Sequence, residues 1–401
     1  MKIAYLTNFL TYGGGTRSLF LLLKSLGPMH LEKKVLVSEH PTDSFERVFL
    51  KHCGSVELIK NKPLSPGASC VTLCRRRMES PVPLIHSLSL WKPDIVHING
   101  VIYPHLLEEI KKQLQCAVIV HVREHRKQKG ALWGGGASWN FAIKQIYRWA
   151  DAIIAISDVE AEYFRGHPNL HVIPNPFDFS VIKKPRSGIR EEFGIQKKVL
   201  LIGVLSDCYR SKGQLDFVEA MGLVAKRFPG MEVLGVMMGS RPLLYFWRYW
   251  NRQETGRQFY GRQIRKRISS LGLDKRILFL PHREDIFGVL NDLDVMVRPS
   301  RLGDPWGRDV IEAMAFGKPV VATGTSNYYV ENEITGYLVP PYREDLLADR
   351  IEDLIRDSSK RKSFGERGQE KVWKMCDLQN YGHRIMDLYD NLLRNQGATS
   401  W

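Results

Sequence analysis

Short apolar, β-branched runs alternate with amphipathic stretches of helical period along most of the chain, the pattern of parallel strands joined by crossover helices. The runs Ile3–Thr7, Lys34–Ser38, Asp94–Ile98, Ala117–Val122, Ala152–Ser157 and His171–Ile173 predict the strands of one doubly wound sheet. Helical stretches such as Thr16–Leu26 and Leu106–Leu114 fall between neighbours. After Asn175-Pro176 the chain turns polar and basic to about Gln196, with Pro185 and Gly188 inside, which predicts a linker. The pattern then restarts. Val199–Val204, Glu232–Met238, Ile277–Leu280, Asp294–Val297 and Pro319–Thr323 predict a second set of strands, with helices near Gly213–Arg227, Arg257–Leu271, Arg308–Phe316 and Arg343–Asp357. A closing amphipathic segment, Leu378–Asn395, is long enough to cross back over the linker.

Length agrees with two domains, because 401 residues exceed the size at which a single core stops growing. The expected division is an α/β pair: a Rossmann-like N-terminal domain over 1–178, completed by a crossover helix at about 378–396, and a second Rossmann-like domain over 196–377. With 44% hydrophobic and 25% charged residues the composition is that of an ordinary packed protein. No run approaches the roughly 18 apolar residues of a bilayer-crossing helix, and the first apolar run is too short for a signal-peptide core, so a cytoplasmic location is expected. The 6 cysteines (Cys53, Cys70, Cys74, Cys116, Cys208 and Cys376) show no metal-ligand spacing and are expected as reduced, mostly buried thiols.

Charge changes the picture more. The net charge is +15, and more than half of it lies between Arg241 and Arg276, with smaller clusters at Arg75–Arg77 and from Arg123 to Lys129. Such a distribution suits a lipid headgroup layer, a diphosphate-bearing substrate or nucleic acid, and charge by itself does not choose. Leu243-Leu-Tyr-Phe-Trp-Arg-Tyr-Trp250 sets aromatic residues beside the basic segment, which suits an anionic membrane interface or a lipid-diphosphate acceptor, and equally a buried apolar helix. No nucleic-acid-binding module accompanies the charge, so nucleic acid is not expected as a partner.

Two loops carry the candidate chemistry. Gly13-Gly14-Gly15, between the first strand and an apolar helix, brings bare amides and a helix N-terminus toward an anion, or is simply a tight turn. Glu39 ends the second strand as a ribose-binding acid would. The glycines do not follow Gly-x-Gly-x-x-Gly, however, which argues against a nicotinamide enzyme. In the stretch from Arg298 to Thr323 a strand runs into a Pro/Gly-rich loop and a short helix, with Asp304 before the helix and Glu312 about one turn inside it. That spacing lets one carboxylate meet a sugar and the other the hydroxyls of a ribose, with the helix N-terminus facing phosphates. Asp292-Leu-Asp294 superficially matches an Asp-x-Asp metal motif, but it sits where a helix ends and a buried strand begins.

This stretch resembles the E-x7-E region of glycosyltransferase family 4, retaining nucleotide-sugar-dependent enzymes of the GT-B fold. The similarity extends to Gly13–Gly15, Lys92-Pro-Asp-Ile-Val-His97, His121, Ala152–Ser157, Val172-Ile-Pro-Asn175, Lys212-Gly213, Arg298-Pro-Ser300 and Thr335–Val339. The resemblance implies a transferase moving a sugar from a nucleoside-diphosphate sugar to a glycan or lipid-linked acceptor. It implies no metal and no cofactor, with the donor as substrate and uridine before guanosine as the base. It places His121, Lys212 and Asp304 at the reacting centre, with Lys212 neutralising the leaving diphosphate. Gly14, Gly15, Arg210, Lys212, Trp306, Gly307, Arg308 and Glu312 fall along the donor, Glu312 on its ribose. Two departures stand out: Asp304 replaces the family's glutamate, and the arginine upstream of the Lys-Gly turn is missing, with Arg210 the nearest substitute. A nucleotide-sugar 2-epimerase on the same fold and a non-catalytic nucleotide-sugar-binding protein are the competing expectations.

Overall fold

The computed structural model describes residues 1–7, 14–27, 31–37, 51–52, 55–58, 82–101, 104–123, 135–183, 188–230, 232–240, 252–281, 283 and 285–398. Glu39, Cys53, Cys70, Cys74, the cluster Arg75–Arg77 and the aromatic run Leu243–Trp250 lie outside them. The chain divides into two compact units, Met1–Pro176 with Cys376–Trp401, and Phe177–Met375.

The first unit is built on seven parallel strands: β1 (Lys2–Thr7), β2 (Glu32–Val37), β3 (Ser55–Leu58), β4 (Ile95–Asn99), β5 (Ala117–Val122), β6 (Ala152–Ala155) and β7 (Leu170–Val172). They run in the order β3-β2-β1-β4-β5-β6-β7. Every residue of β4, β5 and β6 is buried, as expected of parallel strands covered on both faces. Period two then sorts β1 between two cores: Ile3 and Tyr5 enter one, Ala4 and Leu6 the other. The closing helix Leu378–Ala398 contributes Tyr381, Ile385, Leu388, Tyr389 and Leu392 to the first of these cores. Their spacing of three and four residues is one helix face. Gly382 lets this helix approach, since a Cβ there would stand 2.7 Å from the Ser25 carbonyl oxygen. β3 was not legible as a strand, being a short Ser-Val-Glu-Leu segment at the sheet edge.

The second unit carries β8 (Leu200–Leu205), β9 (Val233–Ser240), β10 (Ile277–Pro281), β11 (Val295–Arg298), β12 (Val320–Thr323) and β13 (Gly336–Val339) in the order β10-β9-β8-β11-β12-β13, all parallel. Residues 188–195, expected within a linker, are instead packed into this unit. The turn of helix Ile189–Glu192 is tied down where the Arg190 amide donates to Asp292 Oδ2 (2.8 Å) and its guanidinium to Asp294 Oδ2 (2.8 Å). These two bonds also explain Asp292-Leu-Asp294, whose carboxylates serve as acceptors for backbone and guanidinium. Asp294 Oδ2 accepts the Leu201 amide as well (2.8 Å).

In each sheet the strand order reverses at one place, between β1 and β4 and between β8 and β11. Ligands of open parallel sheets bind outside the carboxyl ends of the strands at such switch points. Gly14 and Gly15 at the start of the first helix, and the loop after β11, follow strands at these switch points.

Candidate functional site

In the second unit the site grows from the end of β11. Arg298, its last residue, is 5% exposed and spreads its guanidinium over the following loop. Nε donates to the Asp304 carbonyl (2.7 Å), Nη2 to Asp304 Oδ2 (2.8 Å), and Nη1 to both carboxylate oxygens of Asp309 (2.7 Å). The Ser300 hydroxyl donates to the other Asp304 oxygen. One arginine therefore organises the loop that enters helix Arg308–Ala315. Burial alone would lower the Arg298 pKa, but the charges of Asp309 and Asp304 and their hydrogen bonds outweigh it and raise it. Gly307 is needed for this packing: a Cβ there would fall 2.7 Å from Arg298 Nη1 and 2.4 Å from Asp309 Oδ1.

Lys212 approaches the same cluster from the end of β8. It closes the 3₁₀ turn Arg210–Lys212, and Gly213 at φ 69° starts helix Gln214–Arg227. Only glycine fits at 213 on two counts, because φ is left-handed and a Cβ would overlap the Pro299 carbonyl oxygen at 1.8 Å. The turn is stitched to the β11 loop where the Arg301 amide donates to the Ser211 carbonyl (2.9 Å), and where Arg301 forms a two-pronged pair with the buried Asp216. The positive field of Arg298, followed by burial, lowers the Lys212 pKa against the opposing pull of Asp309, Asp304 and Asp207. Asp304 responds in kind: burial would raise its pKa, but Arg298 and Lys212 lower it, so it remains a carboxylate.

Glu312 is 2% exposed and lies one turn inside the helix, accepting from Arg308 Nε at 3.1 Å. It is not a solvated helix carboxylate. Trp306, just before the helix, is buried as well. Thus Lys212, Asp304, Trp306, Gly307, Arg308 and Glu312 gather around the β8/β11 switch point, while the exposed Arg210 turns its guanidinium to Gln263 (3.4 Å). Arg298 is the cation that dominates the surroundings of Lys212. In the sequence Arg298 stands out only as part of the Arg298-Pro-Ser300 motif. An arginine ending a buried strand and followed by two aspartates at 304 and 309 was the available signal.

The first unit offers a second polar cluster at the carboxyl ends of β1, β4 and β5. Gly14 and Gly15 open helix Gly14–Ser25, and a Cβ on Gly15 would meet nothing within 4 Å. Asn99 at the end of β4 donates to the Gly15 carbonyl (3.3 Å) and accepts from Arg123 Nε (2.7 Å). Arg123 also donates to Asn175, and its Nη2 lies 3.2 Å from Nδ1 of His121. His121 and His97 are fully buried, and burial together with the Arg123 charge lowers both pKa values, His97 to about 3. Both imidazoles are neutral near pH 7.

Part of the basic excess is absorbed locally. Arg267 pairs with Glu219, Arg265 lies over the Phe279 ring at 4.7 Å, and Arg276 donates to the Pro229 carbonyl (2.7 Å). Cys116, Cys208 and Cys376 are buried free thiols. Among the described residues no helix is long and apolar enough to cross a membrane, and no three His, Cys, Asp or Glu side chains gather as metal ligands.

Two family models match: Glycosyltransferase Family 4 over residues 12–181 and Glycosyl transferases group 1 over residues 185–371. Mannosylfructose-phosphate synthase of Agrobacterium fabrum is 30% identical over 189 residues, 44% of this chain and 38% of that protein. N-acetyl-alpha-D-glucosaminyl L-malate synthase of Bacillus anthracis is 22% identical over 309 residues, 75% of this chain and 76% of that protein. The chain thus spans well under half the length of the first relative and about three quarters of the second. Among solved structures, HepE of Anabaena in complex with UDP and glucose superposes with a TM-score of 0.77 at 21% identity, covering 98% of this chain and 100% of that one. Both sheet orders, the loops at their switch points and the two family matches agree: this chain is a member of glycosyltransferase family 4 with the GT-B pair of α/β units.

Proposed function

We propose that the protein is a retaining glycosyltransferase that moves a sugar from a uridine-diphosphate sugar to a glycan or lipid-linked acceptor in cell-surface polysaccharide or glycoconjugate synthesis. The observation that carries this reading is the Lys212–Arg298–Asp304 cluster beside the start of the helix that holds buried Glu312. Breaking the bond between the anomeric carbon and the diphosphate puts growing negative charge on the phosphate. Lys212 and the amides at the start of helix Arg308–Ala315 meet that charge, and the carboxylate of Glu312 takes the ribose hydroxyls. The acceptor attacks on the face the diphosphate leaves, and the departing phosphate takes its proton, so no side-chain nucleophile is required. Asp304, held by Arg298 and Ser300 and kept ionised, is the carboxylate that meets the donor sugar in this reading.

A thermal-shift screen of nucleoside diphosphates and their sugars tests the donor. UDP and at least one UDP-sugar are expected to raise the melting temperature, since a ligand at 100 times its Kd adds about 2.7 kcal/mol to the native state. Glu312→Gln is expected to remove most of that shift. A screen in which no nucleotide stabilises the protein would remove the reading. Because both Asp304 oxygens already have partners, a non-catalytic nucleotide-sugar-binding protein is the second reading, and binding without release of UDP would favour it.

An anionic membrane surface is proposed as a further partner of the exposed Arg262, Arg265, Lys266 and Arg267 on helix Arg252–Ser270. Co-sedimentation with vesicles rich in anionic lipid at low salt is expected. Protein left in the supernatant removes this partner.

A further inference from the structure

A line of buried hydrogen-bonding groups runs through the core of the first unit. Tyr5 Oη and Tyr389 Oη stand 3.3 Å apart, Tyr389 Oη is 2.6 Å from His97 Nδ1, and His97 Nε2 is 3.3 Å from His121 Nδ1. Arg123 Nη2 approaches the same His121 Nδ1 at 3.2 Å. His121 Nε2 is buried and has no partner among the described residues.

The proton positions along this line follow from one fact, that a guanidinium only donates. Facing Arg123, His121 Nδ1 is an acceptor and carries no proton. A bare His97 Nε2 would set lone pair against lone pair, so His97 Nε2 carries its proton and donates. His97 Nδ1 is then the acceptor for the Tyr389 hydroxyl, and Tyr389, having used its proton, accepts from Tyr5. His121 is neutral, so its single proton sits on Nε2. A buried donor without an acceptor has lost its water without replacement, and such a cost persists where a ligand relieves it.

We propose that Arg123 is a positioning residue that fixes the proton arrangement of the His97–His121 pair, so that His121 presents an N–H, and never a lone pair, to a substrate oxygen. The inference rests on the glycosyl-transfer reading for the identity of that oxygen, a hydroxyl of the donor sugar or of the acceptor. It assigns His121 the work of a hydrogen-bond donor and removes it as a base. Tyr389 and Tyr5 complete the arrangement from the closing helix and β1.

Long-range ¹⁵N–¹H correlation spectra of histidine-labelled protein at pH 7, assigned with His97→Asn and His121→Asn variants, test the arrangement directly. Expected are a protonated Nε2 and a bare Nδ1 on both rings. In Arg123→Met the line is free to reverse, because Tyr389 can equally accept, and the His121 nitrogens are expected to shift toward averaged values. Arg123→Lys keeps a donor and restores the wild-type pattern. The averaged variant is expected to lose about tenfold in kcat, with the lysine variant rescuing it. A protonated Nδ1 or an imidazolium on His121 in the wild type overturns the proposal, even if no variant folds. An unchanged pure Nε2–H pattern in Arg123→Met also overturns it. The expected spectra without turnover on any nucleotide sugar would instead remove the glycosyl-transfer reading and leave the proton arrangement standing.

Discussion

Lys212→Met is expected to lower kcat by about 10²–10³, the usual cost of deleting one preorganised group from a developing charge. UDP release from whichever UDP-sugar raises the melting temperature is the measurement. The folded protein should hardly notice the change. Arg298 and burial both push the Lys212 proton off and outweigh Asp309, Asp304 and Asp207, which hold it on, so removing the ammonium is not expected to lower stability. The separation of the two effects is the informative part. An activity within tenfold of wild type, in a variant with an unchanged melting temperature, would mean that Lys212 does not meet the leaving group. In the proposed reading an incoming diphosphate offsets the positive field of Arg298 that lowers the Lys212 pKa.

Arg298→Met is expected to cost about 3–5 kcal/mol in urea unfolding at neutral pH. The reason is that breaking a buried pair from one side leaves its partners as uncompensated charges. The partners are Asp304 and Asp309, each with a side chain at most 15% exposed. Lys212 remains to face them, which places the loss toward the lower end of that range. The pH dependence fixes the interpretation. In the wild type the folded Asp304 pKa is lowered, so its contribution to stability is present above the ordinary carboxylate range and is lost as acid takes the pH down through the folded value. Without Arg298 its burial prevails and its pKa rises, so the folded variant binds a proton before the unfolded chain does. The deficit is therefore largest at neutral pH and shrinks as the pH falls toward 4 or so. A deficit independent of pH would mean that Arg298 contributes packing alone.

The strands were legible because parallel β-strands buried on both faces spell themselves out as apolar, β-branched runs, as β1, β4, β5 and β12 do. β13 escaped for a local reason. It begins with Gly336, whose missing side chain lets the backbone pass the Val320 carbonyl, and glycine at a strand start reads as a turn. The segment after Pro185 was misread because Arg190 and Gly188 find their reasons only in Asp292 and Asp294, about a hundred residues on. Polar residues without a nearby partner look like linker.

Asp304 and Glu312 of the candidate site stand in a local motif, a carboxylate before and one inside a helix start, whereas Lys212 was singled out by the family resemblance. Arg298 was visible as a residue, but its grip on two aspartates depends on where the loop after β11 folds back. The histidine line was further out of reach. His97 and His121 lie on neighbouring strands, but the hydroxyl that meets His97 comes from Tyr389 in the closing helix, and no periodicity pairs residues that far apart.

The amino-acid sequence by itself determined the two α/β units, most of their buried strands and the two glycine-bearing loops of the candidate site, because burial and turn chemistry are written locally. Tertiary structure alone decided which cation stands beside Lys212 and which nitrogen of His121 carries its proton. Those are matters of distances near 3 Å between side chains from separate strands and helices, and only the folded chain sets them.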